Sequence, residues 1–318
     1  MTATPPDARM PSGMLPFDRV QLRRQRARAA ARFDRHDFLF SEVADRLIDR
    51  LHDTTRRFGT AADIGCHGGI IARRLAAMPA ADRRVETLVQ IDAVPAMAAR
   101  AAAAGGAALC ADEELLPFAD DSLDLVLSSL SLQSVNDLPG VLAQARRALK
   151  PDGLMLAAML GGQTLHELRA ALIGAEAEVA GGAGPRVAPF ADVREAGGLL
   201  QRAGFALPVV DHDRITVVYE SALALMHDLR GMGLGNALTE RRRSPTRRAV
   251  LARAAALYAE RHGTGDGRIP ATFEVVYLHG WKPAPGQQQA LRPGSATTRL
   301  AEALGGIERP AGEKAGRT

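Results

Sequence analysis

The stretch Asp63-Ile64-Gly65-Cys66-His67-Gly68-Gly69 decides how this chain folds. Residues 60–64 ahead of it read as a short strand, and residues 69–78 after it as a helix. A backbone that turns from a strand into a helix N-terminus needs glycine where φ is positive or where the main chain must approach a ligand closely. A purely structural strand–helix turn has the same pattern, so the flanking sequence has to discriminate. Downstream, 85–91 reads as a second strand closing on Asp92, with a helix from Pro95. Residues 107–110 form a third strand closing on Ala111-Asp112, and 123–130 a fourth. Asp137 is placed as N-cap of a helix through Leu149, with Leu138, Val141, Leu142, Ala145 and Leu149 on its buried face. Lys150-Pro151-Asp152-Gly153 reads as a turn into a fifth strand, 154–160. Strand–helix alternation of this regularity predicts an α/β fold with a parallel sheet and right-handed crossovers.

Acids stand at three successive strand ends. Asp63 can take the amine or water network of a bound amino-acid moiety. Asp92, one β-α unit on, can accept both hydroxyls of a ribose. Asp112-Glu113 can receive an adenine amino group. Each acid alone is equally at home as a helix N-cap or a solvated strand end. The three in this order, around a glycine turn, point to an adenosine-bearing ligand.

Ahead of the turn, 19–33 and 37–51 read as two helices, the second with Leu39, Val43, Leu47 and Leu51 on one face. Residues 17–56 are therefore expected to form a helical cap over the open edge of the sheet, preceded by a disordered tail, 1–16. Past the fifth strand come helices at 164–179 and 192–203, one bent strand or two short ones across 205–219, a helical insert at 221–262 and a last strand at 271–279. The main domain is read as 57–282, and 283–318 as a mobile tail.

Composition narrows the function. With 318 residues, 47% of them hydrophobic, the chain suits one large α/β domain with appendages. No apolar run is long enough to span a bilayer. Residues 1–16 lack the pattern of a secretory or transit peptide. Cys66 and Cys110 are the two cysteines, too few for a disulfide framework or a cysteine-rich zinc site, and a reducing cytoplasm fits. The net charge is +4, but only Lys150, Lys282 and Lys314 are lysines among the 40 basic residues. The basic runs Arg23-Arg24, Arg241-Arg242-Arg243 and Arg247-Arg248 lack interleaved aromatics, which speaks against nucleic acid. They read as solvated helix faces or as a surface for an acidic protein or a membrane, with at most peripheral membrane contact.

Asp63-x-Gly65-x-x-x-Gly69, Asp92, the run Ala111-Asp112-Glu113-Glu114-Leu115-Leu116-Pro117-Phe118 and the run Asp124-Leu125-Val126-Leu127-Ser128-Ser129 resemble class I methyltransferases of the type-11 kind. The resemblance implies a Rossmann-like sheet with N-terminal helices, a helical insert and a late antiparallel strand set inside the sheet edge. It also implies S-adenosyl-L-methionine as cofactor. Asp63, Gly65, Cys66, His67, Gly69, Asp92, Ala93, Asp112, Glu113 and Ser128 are its expected contacts. A closer resemblance spans nearly the whole chain. Pro16-Phe17-Asp18-Arg19, Ser128-Ser129-Leu130-Ser131-Leu132, Val135-Asn136-Asp137-Leu138-Pro139, Gly161-Gly162-x-Thr164-Leu165-x-Glu167-Leu168-Arg169, Asp228-Leu229-x-Gly231-Met232-Gly233, Gly280-Trp281-Lys282 and the run 292–297 are similar to the methyltransferase-like assembly factors of respiratory complex I. That family is credited with hydroxylating an arginine of the subunit near the quinone site, so a protein substrate is implied. With 16 residues ahead of Phe17, the chain looks like a bacterial member. The enzyme of biotin synthesis that methylates malonyl-carrier protein is a cousin over the first half.

The chain departs from the family pattern in three places. His67 stands where glycine is usual, Gln133-Ser134 where the family has His-Trp, and Gln163 where an acid is usual. No catalytic group is evident from the sequence. Asp211-His212-Asp213 is the nearest to a metal triad, and its place between strands reads as a solvated turn. Trp281 reads as a core or strand-end anchor. Three functions stay open: modification of a protein arginine by hydroxyl or methyl transfer, carrier-protein methylation, and a cofactor-binding assembly chaperone without chemistry. Thr164 and Glu167 fit either a helix capping box or a docking site in which Glu167 receives an incoming arginine.

Overall fold

The structure is a computed structural model that describes residues 15–287 together with 305–306. The chain divides into two units, Met1–Pro283 and Ala284–Thr318, and every element named below lies in the first. The tails expected at 1–16 and 283–318 fall almost wholly outside the described residues, and the run 292–297 wholly so.

Two helices lead in. Helix α1 (Arg19–Ala30) starts at Asp18, whose carboxylate accepts the Gln21 N–H in an N-cap. A 3-10 turn, Phe33–Arg35, precedes α2 (Phe38–His52). The expected leucine and valine face of α2 is buried, together with Phe40 and Ile48. The alternating core then follows as β1 (Phe58–Ile64), α3 (Ile70–Ala77), β2 (Val85–Asp92), α4 (Pro95–Ala104), β3 (Ala107–Cys110), β4 (Leu123–Ser129), α5 (Leu138–Ala148) and β5 (Leu149–Leu160). The remainder is α6 (His166–Ala180), α7 (Val193–Arg202), β6 (Ala206–Tyr219), α8 (Ala222–Gly231), α9 (Arg248–His262) and β7 (Ile269–Trp281).

The strands form one seven-stranded sheet of order β3-β2-β1-β4-β5-β7-β6. Strands β1 to β5 are parallel; β7 enters antiparallel between β5 and β6. This is the inset late strand that the resemblance implied. The register aligns the strand ends: Asp63 pairs with Gln90, Ile64 with Ile91 and Asp92 with Cys110. The first three turns therefore open on one edge, where ligands of open α/β sheets bind.

Side chains alternate between two apolar layers, as the strand pleat requires. Leu154, Leu156, Ala158 and Leu160 of β5 face a core shared with α2, α6, α8 and α9. Met155, Ala157 and Met159 face a second core, against α5 and α7. Asp137 caps α5 as expected, accepting the Gly140 N–H at 2.8 Å. Burying a Leu, Val, Ile, Phe or Met side chain stabilises by about 1.5–3 kcal/mol, so these two layers hold the sheet.

Several local readings need correction. The Lys150-Pro151-Asp152-Gly153 turn is an irregular part of β5. Asp152 sits at φ +64, the β4–β5 register shifts between Leu123 and Leu125, and the segment bonds across to Lys282. Turn residues here make a bulge, because the end of β7 supplies partners for their backbone. Asp211-His212-Asp213 is no turn either. It lies in the middle of β6, a single edge strand of 14 residues. Its acids, Asp211 exposed and Asp213 half-buried, are met by α2, with Arg50 Nη2 3.0 Å from Asp211 and Arg46 Nη1 3.1 Å from Asp213. The capping box at Thr164 does not form. α6 begins after Leu165, which is left-handed at φ +53, and the Thr164 hydroxyl instead donates to the Glu274 carbonyl at 3.0 Å.

Candidate functional site

The 65–69 turn is tightly built. The Gly65 and Cys66 N–H groups both donate to the Ile91 carbonyl, and Gly69 N–H donates to Cys66 O. Gly65 and Gly69 have φ of +72 and +82. A Cβ on Gly65 would lie 2.0 Å from Ser131 Oγ, and one on Gly69 2.8 Å from Gln90 Oε1. Both glycines answer to close packing as well as to backbone conformation.

His67 holds the turn from beneath. It is buried, its Nε2 lies 3.0 Å from the Leu130 carbonyl, and its ring packs against Phe33 and Phe40. Burial pushes its pKa down to about 3, so it is a neutral wedge between turn and cap. Cys66 is also buried, and burial pushes its thiol up, with Asp63 and Asp92 adding to the effect. Ser128 ties two strands together, donating to the Ile64 carbonyl at 2.7 Å. Ala93 is half-buried beside Asp92.

The acids differ in what they meet. Asp63 is 1% exposed, and neither carboxylate oxygen has a hydrogen-bond partner among the described residues. Burial, with the Asp92 charge second, pushes its pKa up to about 8. An unpaired buried carboxylate is costly unless something cationic meets it. Asp92 is fully buried and accepts from Val94 N–H at 2.8 Å and His67 N–H at 3.2 Å. Burial raises its pKa to about 6 although Arg26 works against the shift. Each of its oxygens keeps a second lone pair for a hydroxyl donor.

At the end of β3 the structure adds what the sequence reading missed. Arg19, Arg23 and Arg26, spaced to share one face of α1, reach the 112–113 acids. Arg19 Nη2 lies 2.6 Å from both Asp112 and Glu113, and Arg23 pairs with Asp112. Arg26 Nη1 lies 2.9 Å from Glu113 Oε1, and its Nη2 donates to Ser134 Oγ at 3.1 Å. Ser131 Oγ donates to the same Glu113 oxygen at 3.1 Å. Burial works to raise the Glu113 pKa, but Arg26 and Arg19 outweigh it and hold the carboxyl near 2. Arg23, its side chain 42% exposed, keeps to the solvated face read into Arg23-Arg24 while pairing with Asp112. Arg241 likewise pairs with Asp18, at 3.0 Å. The signal lay in the spacing of the arginines matched to an acid run almost ninety residues away, a match that only the fold reveals.

Two cavities lie near the turn and α1. The smaller, about 10 Å³, lies between Phe40, Asp63, Gly65 and His67. It has room for about one water, and the space over Gly65 is filled by Ser131, with the Glu113 carboxylate next to it. The larger, about 240 Å³, is mainly apolar, lined by Leu160, Leu168, Phe190, Leu229 and Phe273, with Arg26, Gln133, Ser134, Arg186 and Arg230 among its polar lining. Gln133 Oε1 is buried without a hydrogen-bond partner. Glu167 faces neither cavity. It is 3% exposed and accepts from the Thr272 hydroxyl at 2.5 Å, so the docking role considered for it is withdrawn: α6 turns its first acid onto β7.

Comparison with known proteins agrees with this architecture. Residues 62–157 match the family described as "Methyltransferase domain". The chain is 42% identical over 294 residues to "Arginine-hydroxylase NDUFAF5, mitochondrial" of Danio rerio, covering 91% of this chain and 90% of that one. It is 37% identical to "Malonyl-[acyl-carrier protein] O-methyltransferase" of Laribacter hongkongensis, covering 87% and 94%. Among solved structures, the YcgJ protein of Bacillus subtilis superposes with a TM-score of 0.52 at 14% identity, over 76% of this chain and 99% of its own. That last likeness concerns the fold alone. Sharing nine-tenths of its length with the first of these relatives, and that relative's sequence at this level, the chain belongs to the class I methyltransferase superfamily and, within it, to the family of the NDUFAF5 arginine-hydroxylases.

Proposed function

We propose that the chain binds S-adenosyl-L-methionine at the 65–69 turn and modifies an arginine of a protein partner, the quinone-site subunit of respiratory complex I, during assembly of that complex in the bacterial cytoplasm. The observation that carries the cofactor assignment is Asp63: a buried carboxylate with both oxygens unpartnered, beside a glycine that leaves the backbone bare. A cationic amino acid moiety satisfies it, and S-adenosylmethionine brings an ammonium and a sulfonium, the latter supplying an activated methyl group. Asp92 then takes the ribose hydroxyls and Asp112 the adenine amino group, with Gly69, Cys66, His67, Ala93 and Ser128 shaping the turn and Glu113 beside them. Admission of the cofactor requires Ser131 and Glu113, the latter held by Arg26, to rearrange beside Gly65. The arginine substrate rests on the relatives named arginine-hydroxylase. Among the described residues no helix is long and apolar enough to cross a membrane, which leaves peripheral contact as the reading for the membrane-bound partner.

Asp92→Ala is expected to weaken cofactor binding by about 1–3 kcal/mol, the loss of a charged acceptor for two hydroxyls. Calorimetric titration checks this; an unchanged affinity removes the ribose assignment.

A second reading, methylation of an acyl group on a carrier protein, draws on the Laribacter relative and on the apolar cavity rimmed by Arg186 and Arg230. Mass spectrometry of the complex I subunit from wild-type and deletion strains separates the readings. The expected result is an arginine carrying one added oxygen or one added methyl in the wild type only. An unmodified arginine in both strains overturns arginine modification. Complex I assembly restored by Asp63→Asn without any modification assigns a chaperone role instead.

A further inference from the structure

Arg26 lines the larger cavity as a guanidinium already bound. Its side chain is 3% exposed and the Glu113 side chain is fully buried. Burying such a pair costs several kcal/mol of desolvation per ion, about as much as its attraction returns. Stability is therefore a weak reason for its presence. Arg26 shares the polar lining of that mainly apolar cavity with Ser134, Arg186, Arg230 and Gln133, whose buried Oε1 has no partner, and from there its Nη1 reaches Glu113. We propose that Glu113, with the Ser134 hydroxyl, is the recognition subsite for a guanidinium, and that Arg26 is its internal occupant, displaced when an arginine side chain of the partner enters through the larger cavity. The proposal rests on the arginine reading above and names the subsite that such a substrate uses.

The contacts suit an exchange. Arg26 gives Glu113 one bond from Nη1 and gives Ser134 one from Nη2, and its Nε has no partner. A second guanidinium can repeat both bonds and leave the charge balance unchanged. Glu113 does not depend on Arg26 alone, because Arg19 and Ser131 also hold it. Planar, two-point donation is what a guanidinium offers and an ammonium does not. Leu165, Leu168 and Leu234 of the cavity wall suit the methylene stem of an arginine. Displacement also removes one tie between α1 and the Glu113–Ser131 pair that packs beside Gly65, so arrival of the substrate and opening of the cofactor groove are linked through α1.

The test is binding of a capped Ala-Arg-Ala peptide, without cofactor or turnover, followed by calorimetry. Removing the internal competitor should tighten binding: Arg26→Ala is expected to bind the peptide about tenfold or more tightly than the wild type, a gain of about 1.4 kcal/mol. Arg26→Lys, which keeps a cation but loses the planar pair, should also bind it more tightly. Adding Glu113→Gln to either should abolish binding, and Ala-Lys-Ala should bind none of them. In the wild type, saturating peptide should speed hydrogen exchange in α1. A merely structural Arg26 predicts unchanged or weaker binding in both variants; that result, failure of all the proteins to bind, or binding with α1 exchange unchanged, overturns the proposal. Subunit modification is read separately by mass spectrometry, so either idea can fail without the other.

Discussion

Replacing Gly65 with alanine is expected to lower the unfolding free energy by about 2–4 kcal/mol, the sum of left-handed backbone strain and overpacking. The backbone at φ +72 disfavours any Cβ, and the added methyl would meet Ser131 Oγ at 2.0 Å and Ser131 Cβ at 2.3 Å. Ser131 cannot swing aside freely. It is fully buried and donates to Glu113, which in turn is held by Arg19 and Arg26. The strain therefore passes into the whole acid–arginine layer over the turn. Gly198 is the control. It lies in α7 with nothing within 4 Å of its Cβ position, and its change to alanine should leave stability unchanged or slightly higher. Urea denaturation of the three proteins measures this. Equal stability of wild type and Gly65→Ala would show that the turn is not packed as described.

The second large effect concerns Asp63 and has opposite signs for folding and for binding. Folding raises its pKa from the ordinary 3.8 to about 8, so the folded protein keeps a proton that the unfolded chain releases across that interval. Stability contributed by this group accordingly falls as pH rises from about 4 to about 8 and is level above that. Asp63→Asn should abolish that decline. A cationic cofactor, by contrast, needs the carboxylate and must expel the proton. Cofactor affinity is therefore expected to rise with pH, by up to about tenfold per unit, until the group is ionised near pH 8. The window from about 6 to about 8 belongs to Asp63, since Asp92 titrates near 6. In Asp63→Asn the pH dependence over that window should vanish, and affinity at pH 8 should drop by about 2–4 kcal/mol through loss of a buried charge partner. A variant that binds as tightly as the wild type, with the same pH profile, would remove Asp63 from the cofactor site.

The parts of this fold legible in the sequence are those set by local rules. Strand-end acids at Asp63, Asp92 and Asp112, the glycines at 65 and 69, the Asp137 cap and the apolar face of α2 each depend on residues close in the chain. Misreadings arose where partners come from far away. Lys150-Pro151-Asp152-Gly153 has turn chemistry, yet Lys282, just past β7, bonds with Asp152 and Gly153 and keeps the segment in the sheet. Thr164 and Glu167 have capping chemistry, yet Glu274 and Thr272 take their oxygens first. Asp211 and Asp213 have loop chemistry, yet Arg46 and Arg50 support them on an edge strand. The site itself divides the same way. Its acids could be placed from strand order. That Arg19 and Arg26 would turn inward could not, because a helix surface rich in arginine looks the same whether it faces water or buried carboxylates.

A turn built for S-adenosylmethionine is tested most directly by calorimetric titration of the folded wild-type chain with that compound at pH 8. Saturable binding of one molecule per chain is expected, accompanied by faster proteolysis of the segment that carries Arg26. Absence of any binding by protein shown to be folded would contradict it.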